Sequence, residues 1–148
     1  MANPVILAIN AGSSSIKYSV YEKTPSGSVQ LIAGASISGF TAPPTKFAYS
    51  LYDASSGKEI ESATANDVDA TNHGEGFQFF LDFLASGKGR KTGEKVLGLD
   101  RIGVVCHRIV HGGAEPFPLI ITEDELHHLD NLSDLAPLYV SYFLCAEV

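Results

Sequence analysis

The sequence predicts an α/β fold, a sheet with flanking helices, and three observations carry that reading. A continuous apolar run, Val5–Ile9, has the pattern of a buried strand. The run after it alternates, with Ile16, Tyr18 and Val20 on one face and Lys17, Ser19 and Tyr21 on the other, as a strand with one wetter face does. A second apolar run, Ile102–Cys106, lies far downstream, and helix-start signals stand at Asn72 with Glu75 and at Thr122 with Glu125. A chain of 148 residues is one domain's worth, and 45% apolar content is enough to build a core.

Between the first two strands, Asn10 to Ser15 form a small polar turn. Gly12 admits a backbone conformation or close approach that a Cβ would hinder. The three serines offer hydroxyl and N–H donors, and successive N–H groups in a tight turn form a concave anion nest. Lys17 adds a cation. An anion-binding turn and an ordinary hairpin loop both satisfy this composition. A P-loop does not, because Lys17 stands where its second glycine belongs and Ile16–Tyr21 has strand character where that motif opens a helix.

Further along, residues 23–28 read as a turn and Val29–Ala33 as a third strand. Residues 34–45, rich in Gly, Ser, Thr and Pro, read as a loop with short extended pieces. Lys46–Asp53 alternates as a strand, residues 55–58 turn, and Glu59–Thr64 returns as its hairpin partner. The helix capped by Asn72 places Phe77, Phe80, Leu81 and Leu84 on one stripe and stops at Gly87. Lys88–Lys95 is a basic, glycine-rich segment; it reads as a solvated surface loop, with phosphate binding as the other reading. Ile102–Cys106 reads as a buried strand, residues 119–121 as extended, and the helix after Thr122 aligns Leu126, Leu129 and Leu132.

Charge and composition exclude several classes. With 10 basic and 17 acidic residues the net charge is −7, which argues against nucleic acid as the main partner. Cys106 and Cys145 form neither a disulfide framework nor a metal spacing, so reduced thiols of a cytoplasmic protein are expected. No apolar run approaches the ~20 residues of a membrane span, and Met1–Pro4 lacks the charged start of a signal peptide.

A second motif follows the downstream strand: His107-Arg108-Ile109-Val110-His111-Gly112-Gly113. Arg108 carries a planar, permanently charged fork suited to a carboxylate or phosphate; a structural ion pair is the other reading. His107 and His111 lack the glutamate of a zincin motif and any third ligand at sensible spacing, so neither receives a metal role.

Both motifs resemble one family. Asn10-Ala11-Gly12-Ser13-Ser14-Ser15-Ile16-Lys17 after an apolar strand looks like the N-terminal signature of the acetate and propionate kinases, and residues 107–113 look like that family's His-Arg-x-Val-His-Gly-Gly. The resemblance covers residues 5–22 and 102–138 closely and the middle in outline. It implies an actin-like or Hsp70-like ATPase fold with a ribonuclease H-like motif, a mixed sheet with flanking helices, in which the strand–turn–strand element faces the nucleotide phosphates. The implied reaction is reversible phosphoryl transfer from ATP to acetate, giving acetyl phosphate and ADP, with Mg²⁺. Arg108 is implied to bind the substrate carboxylate or the transferring phosphoryl group, with Asn10 as a second catalytic residue. Asn10, Gly12, Ser13, Ser15 and Lys17 are implied to face the phosphate chain, Asn10 also through the metal or its waters. Val110 and Leu138 match positions lining the pocket for the acyl methyl.

On the same resemblance, residues 1–138 are expected to form the N-terminal acetate-kinase-like domain and residues 139–148 a tail outside the family pattern. The family's further catalytic Asp, His and Arg residues, its magnesium-binding Glu and its adenosine pocket have no counterpart here. The chain is therefore expected to be a truncated part, inactive alone, of an enzyme that acts on acetate or another short carboxylate and forms homodimers at full length. The alternative is a non-catalytic splice or frameshift product that binds anions or a partner at most.

Overall fold

The computed structural model describes residues 4–108 and 117–127. Its elements run β1 (Val5–Ala11), β2 (Ser15–Lys23), β3 (Val29–Ser38), β4 (Lys46–Tyr52), β5 (Glu59–Asn66), α1 (His73–Ser86) and β6 (Ile102–His107). A short 3₁₀ turn, Leu99–Arg101, leads into β6. The six strands make one mixed sheet in the order β5-β4-β3-β2-β1-β6. β1 to β5 meander antiparallel. The chain then crosses over through α1 and returns β6 parallel to β1, as a helical crossover permits.

The alternation read from β2 is the alternation of the sheet. Val5, Leu7 and Ile9 of β1 and Ile16, Tyr18 and Val20 of β2 are buried, as are Phe47, Tyr49 and Leu51 of β4. α1 lies on this face. The opposite face carries small and polar residues, among them Ser19, Ser36, Ser50 and Ser62, and none of the described residues covers it.

Three elements depart from the sequence expectation. β3 does not end at Ala33 but runs to Ser38. Its loop-like composition arises because Gly34, Ser36 and Ser38 point to the open face while Ala33 and Ile37 pack inward, both at 0% exposure. α1 buries Gly76, Phe79, Phe80, Phe83 and Leu84; Phe77 packs at the margin of the core and Leu81 is half-buried. With six large apolar side chains, α1 fits several stripes, and the sheet selects among them. Phe47 takes the edges of Phe79 and Phe83 at ring-centroid distances of 5.0 Å each, and Tyr18 stacks on Phe80 at 4.0 Å. β6 is not a fully buried strand. Ile102 is buried and Val105 packs against the core, but Gly103, Val104 and Cys106 are exposed, because β6 is the edge of the described sheet.

The helix caps follow the sequence. The Asn72 side chain accepts the Glu75 N–H at 3.0 Å, while Glu75 reaches back to the N–H and hydroxyl of Thr71, one residue beyond the usual box. Gly87 closes α1 with φ 76°; a Cβ there would lie 2.4 Å from the Glu94 carbonyl oxygen. At the second start signal, the Glu125 N–H donates to Thr122 Oγ1 and residues 123–127 are helical. Leu129 and Leu132 lie outside the described residues.

The basic segment 88–95 is a surface loop pinned to the sheet. Arg90 pairs with Glu61 of β5 at 2.8 Å, with both side chains only 13–14% exposed. Tyr49 donates its hydroxyl proton to the same carboxylate at 2.6 Å and accepts the Lys91 N–H at 3.0 Å. Arg90 first, then Tyr49, holds the Glu61 carboxyl below its ordinary value of 4.5. A depressed carboxyl stabilises the fold fully above its ordinary value, and that contribution is lost as pH falls through the folded value. Glu61→Gln is therefore expected to cost about 1–3 kcal/mol at pH 7 and to lose less stability than the parent between about pH 5 and pH 3. Urea midpoints across that range check both signs; parallel pH profiles would show that Glu61 gains nothing from Arg90.

Candidate active site

The hairpin turn between β1 and β2 begins with Asn10 and Ala11 still paired, to Lys17 and Ile16. The Gly12 N–H donates to the Ser15 carbonyl at 2.8 Å. The turn is held from two sides. The N–H groups of Gly39 and Phe40, after β3, donate to the Ser14 carbonyl at 3.1 and 3.3 Å. His73, the first residue of α1, lies with Nε2 2.6 Å from the Gly12 carbonyl oxygen. These contacts tie the turn's carbonyls to the scaffold. Asn10, Gly12, Ser13 and Lys17 are exposed, and Ser14 and Ser15 half-buried.

Gly12 itself is under no conformational demand here. Its φ is outside the left-handed region, and a Cβ would meet Ser15 at an ordinary 3.7 Å. Of the two roles the sequence leaves open for Gly12, a special backbone conformation is therefore not the one used; its bare Cα leaves room on the exposed side.

Arg108 arrives from 98 positions beyond Asn10 in the sequence. The parallel ladder pairs Ile9 with His107, and the Arg108 N–H extends it by donating to the Ile9 carbonyl at 2.9 Å. Asn10 and Arg108 therefore follow the last ladder pair side by side, near the carboxyl ends of two parallel strands, where open α/β sheets bind their ligands. The Arg108 side chain is exposed. His107 shares the inner face with Ile9, and burial pushes its imidazole pKa down, which favours the neutral ring. That is a partly buried histidine packed beside the core. Val110, His111 and Leu138 lie outside the described residues. The basic loop follows the far end of α1, about 21 Å along a 14-residue helix from the turn, so the two are not one site.

Residues 5–143 match the model of the acetokinase family. The chain belongs to that family. It is 39% identical over 135 residues to a probable acetate kinase of Chaetomium globosum, covering 91% of this chain and 28% of the relative. It is 37% identical over 139 residues to a probable acetate kinase of Emericella nidulans, covering 94% and 30%. A propionate kinase from Francisella tularensis has the same fold, with a TM-score of 0.67 at 23% identity over 92% of this chain and 30% of its own. The chain thus spans about three tenths of the length of these relatives. The mixed sheet is the one expected of acetate-kinase-like proteins.

For an acetokinase the donor set at the turn suits phosphate: hydroxyls, a cation at Lys17, and donors on an exposed surface. Among the described residues no group of three or more His, Cys, Asp or Glu could hold a metal ion. The only polar oxygen at the turn suited to Mg²⁺ or its waters, besides the serine hydroxyls and backbone, is that of Asn10. Mg²⁺ keeps several waters and is commonly held through phosphates and few protein groups, so this sparse set is compatible with it. No helix among the described residues is long and apolar enough to cross a membrane.

The residue that sequence reasoning missed is His73. Sequence placed it beside a helix cap and nothing more; its contact with Gly12 joins positions 61 residues apart.

Proposed function

We propose that this chain supplies the phosphate-facing turn and the substrate arginine of an acetate kinase, which transfers a phosphoryl group reversibly between ATP and acetate. The observation that carries the reading is the juxtaposition of Asn10 and Arg108 at the ends of β1 and β6. Phosphoryl transfer depends mostly on positioning and charge stabilisation, and the reactants here are both anions. Arg108 neutralises and orients the carboxylate or the transferring phosphoryl group. Asn10, Ser13, Ser15 and Lys17 hydrogen-bond the phosphate chain, with Asn10 directed at Mg²⁺ or its waters. Mg²⁺, when bound with ATP, offsets the charge that builds on the phosphate oxygens. Val110 and Leu138 restrict the acyl group to a short chain, with modest discrimination per methylene.

Among the described residues the site is one open wall, with Asn10, Ser13, Lys17 and Arg108 all solvent-facing, and such a reaction requires closure against water. The 148-residue chain alone is accordingly expected to form no acetyl phosphate from Mg-ATP and acetate. A fusion in which residues 5–143 replace the matching segment of the Chaetomium globosum relative is expected to be active. Hydroxylamine trapping of acetyl phosphate reads both. Turnover by the chain alone would refute the one-wall argument. A folded but inactive fusion would favour the other reading, a module that binds anions or a partner without catalysis.

A further inference from the structure

We propose that His73 is a positioning residue that aims the Ser13 N–H at the phosphate chain; this rests on the phosphate-binding reading of the turn. The Gly12 carbonyl can only accept a hydrogen bond, so the His73 Nε2 at 2.6 Å carries the proton and donates. A trans peptide is planar, with its C=O and the following N–H directed oppositely. Holding the Gly12 oxygen toward α1 therefore turns the Ser13 N–H away from α1, on the exposed side of the turn. Rotating that peptide would bring a carbonyl dipole where an anion is to bind.

The imidazole is itself constrained. It begins α1 immediately after the Asn72 cap, so the helix start fixes its backbone. Its ring lies 4.9 Å from that of Phe40. Phe40 comes this close to α1 because Gly76 has no side chain; a Cβ there would lie 2.8 Å from Phe40 Cζ. Phe40 in turn donates its N–H to the Ser14 carbonyl. Helix start, aromatic ring and turn thus form one closed assembly around Gly12–Ser14, and His73 is its side-chain donor to the turn.

The test uses the 148-residue chain and amide NMR, with Mg-ATP and, separately, pyrophosphate titrated into the millimolar range. In the parent, the Ser13 amide is expected to shift on titration. His73→Ala is expected to weaken binding of both probes about 3- to 10-fold, the worth of one hydrogen bond, and to speed Ser13 amide exchange, with the melting temperature little changed. His73→Gln, whose amide can donate to the same carbonyl, is expected to recover most of the affinity. Equal affinity in the parent and His73→Ala would overturn the role of His73 and leave the phosphate reading standing. Weakening that Gln does not recover would overturn it too, as a general disturbance of the helix start. A parent whose turn amides do not respond to either probe would overturn the phosphate reading and this inference with it.

Discussion

Arg108→Ala is expected to lower acetyl phosphate formation by the fusion enzyme about 10²- to 10³-fold, the size of effect seen when a preorganised donor to developing charge is removed. The fold should be nearly indifferent. Among the described residues, the structural contact of Arg108 is its backbone N–H on the Ile9 carbonyl, and alanine keeps that group. The exposed side chain vacates no core volume, and exposed substitutions of this kind usually stay within about 0.5 kcal/mol. Arg108→Lys should recover little, because an ammonium keeps the charge but lacks the planar fork. Rate and melting temperature measured on the same preparations separate the two readings of this arginine. Near-normal turnover would remove Arg108 from the reaction; a large drop in melting temperature would make it a structural ion-pairing residue.

The parts of the fold legible in the sequence are those where one local rule acts alone. Ile16, Tyr18 and Val20 alternate because one face of β2 is dry and the other is not. Asn72, Glu75 and Gly87 mark the ends of α1 because caps are satisfied within a few residues. Arg108 and the Gly/Ser turn were each legible as motifs. Their adjacency was not, since it depends on β6 returning parallel beside β1. The burying stripe of α1 was misread by its edges because Phe79 and Phe83 are chosen by Phe47, which lies in another element. His73 was invisible for the same reason: a histidine one residue past a cap says nothing until the hairpin carbonyl 61 residues earlier is placed against it. The basic segment 88–95 reads as a solvated loop because nothing local shows that Arg90 pairs with Glu61, 29 residues away.

The largest effect on the fold itself is expected from Phe80→Ala. Phe80 is 0% exposed and lies at the centre of the contact between α1 and the sheet. Its ring stacks on Tyr18 at 4.0 Å with an interplanar angle of 2°, and it also meets Phe83 at 6.1 Å. Truncation removes the buried apolar area and leaves a cavity that a helix pinned by Phe79, Phe83 and Leu84 on either side closes only in part. Phe→Ala changes of this kind cost about 3–5 kcal/mol, a large share of the 5–15 kcal/mol or so that holds a typical domain together. Phe80→Leu fills part of the space and should cost clearly less. Activity of a Phe80→Ala fusion should nevertheless follow the folded fraction, with substrate KM unchanged in the molecules that remain folded, because Phe80 touches neither Asn10 nor Arg108. Urea titration of the 148-residue chain measures the stability loss. A midpoint within experimental error of the parent would mean that α1 does not rest on the sheet through Phe80, and the packing derived for this face would be wrong.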